Sequence, residues 1–165
     1  MNQGSHTVDL LLWLLGDVTC VQARTATLLH SIETEDTALA LLEFNEGALG
    51  TLLATTAAYP GYSRRIEITG TEGTVILEND VIVAADLRVP SATTCTEAPD
   101  RNPSPSSPVV SDARGHQSAI EDFIRAIEQE TLPECDGKEA QRSLALIEEI
   151  YGVSSNGVVE TFIDR

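Results

Sequence analysis

The sequence predicts an α+β fold, a predominantly antiparallel open sheet of six to seven strands with helices on one face. Three observations lead there. Helical apolar spacing occurs at the two ends of the chain, the middle consists of short apolar, Thr-rich or alternating runs, and those runs are joined by tight Gly-, Asn- and Asp-bearing links. Strands connected by such links are antiparallel, and helices gathered at the ends must cover the sheet.

Gly4 and Ser5 precede a helix whose face carries Val8, Leu11, Leu12 and Leu15 and which Gly16 stops as a C-terminal cap. From Val18 to about His30 a period of two indicates a strand. Thr37 to Phe44 and Ala48 to Ala57 are two more, joined at Asn45-Glu46-Gly47 by a three-residue hairpin link in which Gly47 is free to take positive φ. Ser63 to Thr69, Thr74 to Glu78 and Val81 to Arg88 follow, turned by Gly70-Thr71-Glu72-Gly73 and by Asn79-Asp80. Five of the seven prolines fall between Pro90 and Pro108, so residues 90–111 are expected to form a mobile loop. A helix starting near Gly115 is expected to bury Ile120, Phe123, Ile124 and Ile127 and to end at Leu132-Pro133. Asp136 and Glu139, three apart, resemble a capping box for a last helix with Leu144, Ile147 and Tyr151 as its core stripe. Val158 to Ile163 closes the chain as a strand, and Trp13 is expected in the core with Phe123.

Residues 1–165 are expected to make one globular domain, since 42% apolar content is too high for a disordered acidic chain. In the run from Ala48 to Ala58, Leu49, Thr51, Leu53 and Thr55 point to one side and Leu52 and Ala54 to the other, and neither side is charged. The helices can cover one side; the other is expected to meet a second copy of the chain, giving a homo-oligomer.

With 10 Lys plus Arg against 26 Asp plus Glu, the net charge is -16, which argues against nucleic-acid and acidic-membrane partners. The apolar run from Leu10 to Leu15 is far short of the ~20 residues of a membrane span. Cys20, Cys95 and Cys135 cannot pair completely and lack metal-ligand spacing, so a reducing, cytoplasmic setting is expected. No GxGxxG, GxxxxGK[ST], HExxH or GxSxG motif is present, and no cofactor or metal is assigned to this chain from its motifs. The densest polar group is Asn2, Gln3, His6 and Asp9, on or just before the first helix. Residues of those types also cap helix starts and complement helix dipoles, so the motif by itself leaves both roles open.

The run Asn2 to Gly16 resembles the end of a signature of the Gfo/Idh/MocA oxidoreductases, in which a Gly-rich stretch leads to Asp-x-x-x-His and an Asp-Leu-rich helix. Arg65 to Val75, His116 to Ile127 and Pro133 to Tyr151 are similar to stretches of the same family, in family order. The resemblance covers the C-terminal half of such an enzyme. It implies NAD or NADP for the full-length enzyme, bound by a Rossmann domain whose Gly-rich loop and catalytic lysine are not in this sequence, so the chain resembles a fragment or a truncated gene product.

By the same resemblance His6 takes the position of the family's catalytic histidine. Asn2 stands where the family has an acid; an amide can orient a hydroxyl but carries no charge, so Asn2 is assigned to substrate binding. Tyr59, Tyr62 and Arg64 fall in a region that lines the sugar site in relatives, although Tyr and Arg are also common in surface loops. Two functions follow: the C-terminal domain of an NAD(P)-dependent oxidoreductase of sugar or polyol hydroxyls, inactive without its nucleotide-binding domain, or a non-catalytic dimerisation or sugar-binding module derived from that family. A metal-dependent hydrolase using His6, Asp9 and His30 ranks below both, because nothing in the sequence places His30 beside the first helix.

Overall fold

The computed structural model describes residues 4–89 and 114–156. They contain α1 (Ser5–Leu15), β1 (Val18–Ala26), β2 (Thr37–Phe44), β3 (Leu49–Thr55), β4 (Arg65–Gly70), β5 (Gly73–Glu78), β6 (Val81–Leu87), α2 (Arg114–Glu128) and α3 (Gly137–Asn156). The expected strand at Val158 to Ile163, the loop 90–111 and Asn2 lie outside the described residues. The α+β class holds and every pairing is antiparallel. One continuous sheet is not what the described residues show: the ladders form two three-stranded sheets, β1-β2-β3 and β4-β5-β6. The link from Thr56 to Arg64 carries Pro60 and Gly61 and is longer than the turns within each sheet. The residues fall correspondingly into two compact units, 4–57 with 114–156, and 58–89.

In the first unit the β2 pattern alternates strictly. Ala38, Ala40, Leu42 and Phe44 are buried and Leu39 and Leu41 are exposed. The hairpin into β3 turns at Asn45-Glu46-Gly47, where the Phe44 N–H donates to the Ala48 carbonyl (2.9 Å) and Gly47 has φ 81°. The register sets Leu42 opposite Gly50. A Cβ at Gly50 would stand 3.1 Å from the Phe44 ring, so the glycine makes room for the largest core side chain. α1 and α3 cover the inner sheet face: Val8 and Leu12 from α1 and Leu146 and Ile150 from α3 meet Val21, Ala40, Leu42, Phe44 and Leu52. Gly16, with φ 81°, ends α1 by donating its N–H to the Leu12 carbonyl (3.0 Å). Asp136 caps α3, its Oδ1 accepting the N–H groups of Lys138 (2.8 Å) and Glu139 (3.1 Å). The Glu139 carboxylate turns instead to Arg142 (2.5 Å), so only one half of the capping box forms.

Three packing expectations need correction. The α3 core stripe is Leu146, Ile150 and Val153, with Ile147 at its margin, while Leu144 is exposed. Both stripes satisfy a period of 3.6, and the contact with β1 and α1 selects the second. Ile120, Phe123, Ile124 and Ile127 on α2 are exposed and Ala126 is buried; the period marks an amphipathic helix without saying what covers it. Trp13 is 76% exposed, on the side of α1 away from Val8 and Leu12.

Missed by sequence reasoning is Asp36, a buried carboxylate just before β2. It accepts the N–H groups of Leu28 (2.9 Å), Leu29 (2.7 Å) and His30 (2.9 Å), along with the Thr37 hydroxyl (3.1 Å). These backbone donors, His30 first, hold its pKa well below the usual carboxylate range. In the second unit, the β4–β5 hairpin closes through Thr71-Glu72, and Asn79 and Asp80 turn β5 into β6 with φ 49° and 67°.

Two outcomes are expected. Phe44, 1% exposed, should cost about 3–5 kcal/mol when changed to Ala, whereas Phe123→Ala should change stability by no more than about 0.5 kcal/mol; urea unfolding followed by circular dichroism checks both. Because the folded state favours ionised Asp36, its contribution is complete above the unfolded carboxylate pKa of about 3.9 and is lost as pH falls below it. Unfolding midpoints measured from pH 6 to pH 2 should fall more steeply for the natural chain than for Asp36→Asn.

Candidate functional site

His6 stands on the first turn of α1 with its side chain exposed. Its helix is held from several sides. Val8 and Leu12 are buried in the core, and one turn after His6 the Asp9 carboxylate accepts the Ser143 hydroxyl of α3 (2.7 Å). Just beyond the C-cap, Asp17 pairs with Arg142 (2.7 Å), the neighbour of Ser143. The Asp17 bond is the largest cause raising the pKa of Arg142, to which Glu139 adds. Two successive α3 residues thus tie down the middle and the far end of α1, leaving His6 on a fixed support while facing solvent.

Further along α3, Ser154 Oγ accepts the Thr25 N–H (2.7 Å) and the Tyr151 hydroxyl donates to Glu35 (2.6 Å). Burial first, and then the Glu35 bond, push the Tyr151 phenol up to about 12. These ties fix the β1–β2 side of the unit to α3, and none was legible in the sequence, because the partners lie more than a hundred residues apart.

Of the other candidates, Asn2 lies outside the described residues. Tyr59, Tyr62 and Arg64 belong to the second unit. Tyr59 and Tyr62 are exposed, and Arg64 is ion-paired with Asp80. Arg65 is engaged as well, with Glu67 (2.9 Å) and Glu78 (3.1 Å), and both bonds raise its pKa, Glu67 more. His30 donates its backbone N–H to Asp36, and its Nε2 lies 3.2 Å from the Thr56 carbonyl, the role of a strand-end polar group. Asp9 and His30 thus both have protein partners, and among the described residues no three His, Cys, Asp or Glu side chains gather to hold a metal.

The domain model described as GFO/IDH/MocA C-terminal domain matches residues 1–76. The chain is a match to the C-terminal domain of the Gfo/Idh/MocA oxidoreductases. The WlbA dehydrogenase from Bordetella pertussis, solved with NADH and UDP-GlcNAcA, superposes with a TM-score of 0.77 at 34% identity, over 99% of this chain and 46% of its own. The D-apiose dehydrogenase of Rhizobium rhizogenes is 27% identical over 93% of this chain and 46% of its own. An oxidoreductase from Agrobacterium radiobacter, solved with NAD+, L-tartaric acid and magnesium, shares the fold at 24% identity and a TM-score of 0.73. The chain spans rather less than half the length of these Gfo/Idh/MocA relatives. No described helix is long and apolar enough to cross a membrane.

Proposed function

We propose that this chain is the substrate-binding and oligomerisation domain of an NAD(P)-dependent oxidoreductase acting on a sugar or polyol hydroxyl, and that hydride transfer requires a nucleotide-binding half. The observation that carries the reading is His6, exposed on the first turn of a helix that core contacts and two α3 side chains hold in place, in a chain 34% identical to a dehydrogenase solved with NADH and a sugar nucleotide. Two relatives are named as dehydrogenases, one of D-apiose, which supports a sugar or polyol as the substrate class.

The chain's own contribution is to the proton and to orientation. An imidazole accepts a hydroxyl proton near neutral pH, and as hydride leaves the carbinol carbon that proton must go to a positioned base. His6 is assigned this role. Asn2 is assigned to orienting the hydroxyl by donating and accepting; in the second unit Tyr59, Tyr62 and Arg64 keep the sugar-binding assignment that the family resemblance gives them, and Asp80 holds the Arg64 guanidinium. A nicotinamide bound by the other half supplies the hydride acceptor. Cys20 and Cys135 are free thiols, in keeping with a cytoplasmic setting.

Self-association is part of the proposal. The outer face of β1–β3 exposes Leu39, Leu41, Leu49 (82%) and Leu53 (66%), and a second copy would cover it, burying on the order of 1,600 Å² if the contact is of standard size.

Titrating the chain with NADH and following fluorescence should show no saturable binding, and micromolar binding would contradict the division of labour. By sedimentation the chain should be dimeric or larger at tens of micromolar and Thr51→Glu, on the exposed side of β3, should shift it to monomer; a natural chain that is monomeric there removes the oligomerisation role.

A further inference from the structure

α1 opens without the side-chain cap that Asp136 gives α3. Its cap residue is Gly4, which has no side chain to accept the N–H groups of the first turn, and that turn carries His6. The far end of the helix is held by polar bonds: the Gly16 N–H returns to the Leu12 carbonyl, and Arg142 donates to Asp17 through Nε (2.9 Å) and a terminal nitrogen (2.7 Å). One turn after His6, the Asp9 carboxylate accepts the hydroxyl of the half-buried Ser143 at 2.7 Å, a charge-assisted bond from α3.

Helix geometry gives that bond leverage over the imidazole. At about 100° per residue, Asp9 stands about 60° from His6 round the α1 axis, with Leu12 about 120° and Val8 about 160° away on the same side, so Asp9 lies between the buried stripe and His6. Burial of Val8 and Leu12 keeps the stripe inward but is non-directional, whereas a hydrogen bond has a preferred length and angle and resists turning about the axis. A helix with its side chains has a radius of about 5–6 Å, so a turn of about 10° carries the imidazole about 1 Å, and a misplacement of about that size at a reacting centre costs on the order of 10²-fold. We propose that Ser143 is a positioning residue: through Asp9 it sets the angle at which α1 presents His6 to the substrate hydroxyl. This rests on the assignment of His6 as proton acceptor and adds to that site a residue from another helix.

Hydrogen exchange on the chain tests the support itself, with no substrate present. In Ser143→Ala, protection of the Leu10 N–H, which closes the turn on the His6 carbonyl, should fall roughly 5- to 20-fold, while the Leu15 N–H at the other end of α1 keeps its protection. An equal loss at both amides would make Ser143 a support of the whole fold and overturn the proposal. Steady-state kinetics of the chain joined to its nucleotide-binding half, with UDP-GlcNAcA and NAD+ as the probe reactants, test the consequence for catalysis. Ser143→Ala and Asp9→Ala should each lower kcat roughly 5- to 50-fold with KM little changed, and the double variant should be no worse than either, because both remove one contact. Ser143→Thr keeps the hydroxyl and Asp9→Asn keeps an acceptor oxygen, so each should stay within about 3-fold of the natural kcat. In a His6→Ala background, Ser143→Ala should have no further effect. If His6→Ala is impaired but Ser143→Ala has the natural kcat, or loses the same factor with and without His6, the positioning role falls and His6 stands. A His6→Ala enzyme with the natural kcat removes the base itself, and any role exerted through it.

Discussion

The rest of the first unit depends on one apolar core, whose largest fully buried side chains are Val8, Phe44 and Ile150. It joins α1, β2 and α3, and each of the three brings something the others use. Phe44 is the last inward residue of β2 and keeps its place because Gly50 on the neighbouring strand has no Cβ. Ile150 belongs to the α3 face that selects Leu146 and Val153 as its companions and so determines which polar residues of α3 reach α1. Val8 lies two positions beyond His6, which means that the apolar burial fixing the helix also fixes where the imidazole emerges. The hydrogen bond from Ser143 to Asp9 and the Arg142–Asp17 pair add direction to a helix whose position is already decided by packing. Exposed ion pairs alone would be weak supports.

Two features of the surface follow from how that core is built. Strict alternation on β2 sends every second side chain outward, and because those side chains are Leu39 and Leu41, the sheet presents an apolar outer face rather than the polar one usual for a solvated antiparallel sheet. At one end of the same sheet, Asp36 gathers three consecutive N–H groups that would otherwise have no partner in the loop after β1. The strand ladder and this carboxylate together set the shape of the unit at the end opposite the Asn45-Glu46-Gly47 hairpin.

Much of this was legible in the sequence where a short-range rule applies. The hairpin at Gly47, the cap at Gly16, the Asp136 cap and the positions of all six strands and three helices in the described residues depend on neighbours within a few positions. Where the deciding partner is distant in the chain, short-range patterns do not specify the packing. The α3 stripe was placed on Leu144, Ile147 and Tyr151 because two overlapping stripes satisfy the same period. Trp13 and Phe123 are expected in the core because large aromatics are usually buried, yet both side chains are exposed. The link containing Pro60 is legible as a loop from its composition, but composition does not say which strands share a ladder. At the site, His6 was identified by its resemblance to a family motif rather than by spacing, and its supports, Ser143 and Arg142, could not be inferred because they lie on a helix more than a hundred residues away.

His6 is proposed as a proton acceptor because it is exposed on a helix held by the core. The direct measurement is steady-state kinetics of the holoenzyme in which this chain is joined to its nucleotide-binding half, comparing the natural sequence with His6→Ala. Loss of a general base predicts a fall in kcat of about 10²- to 10⁴-fold with the Kd for NADH unchanged. A His6→Ala enzyme that retains the natural kcat would contradict the account.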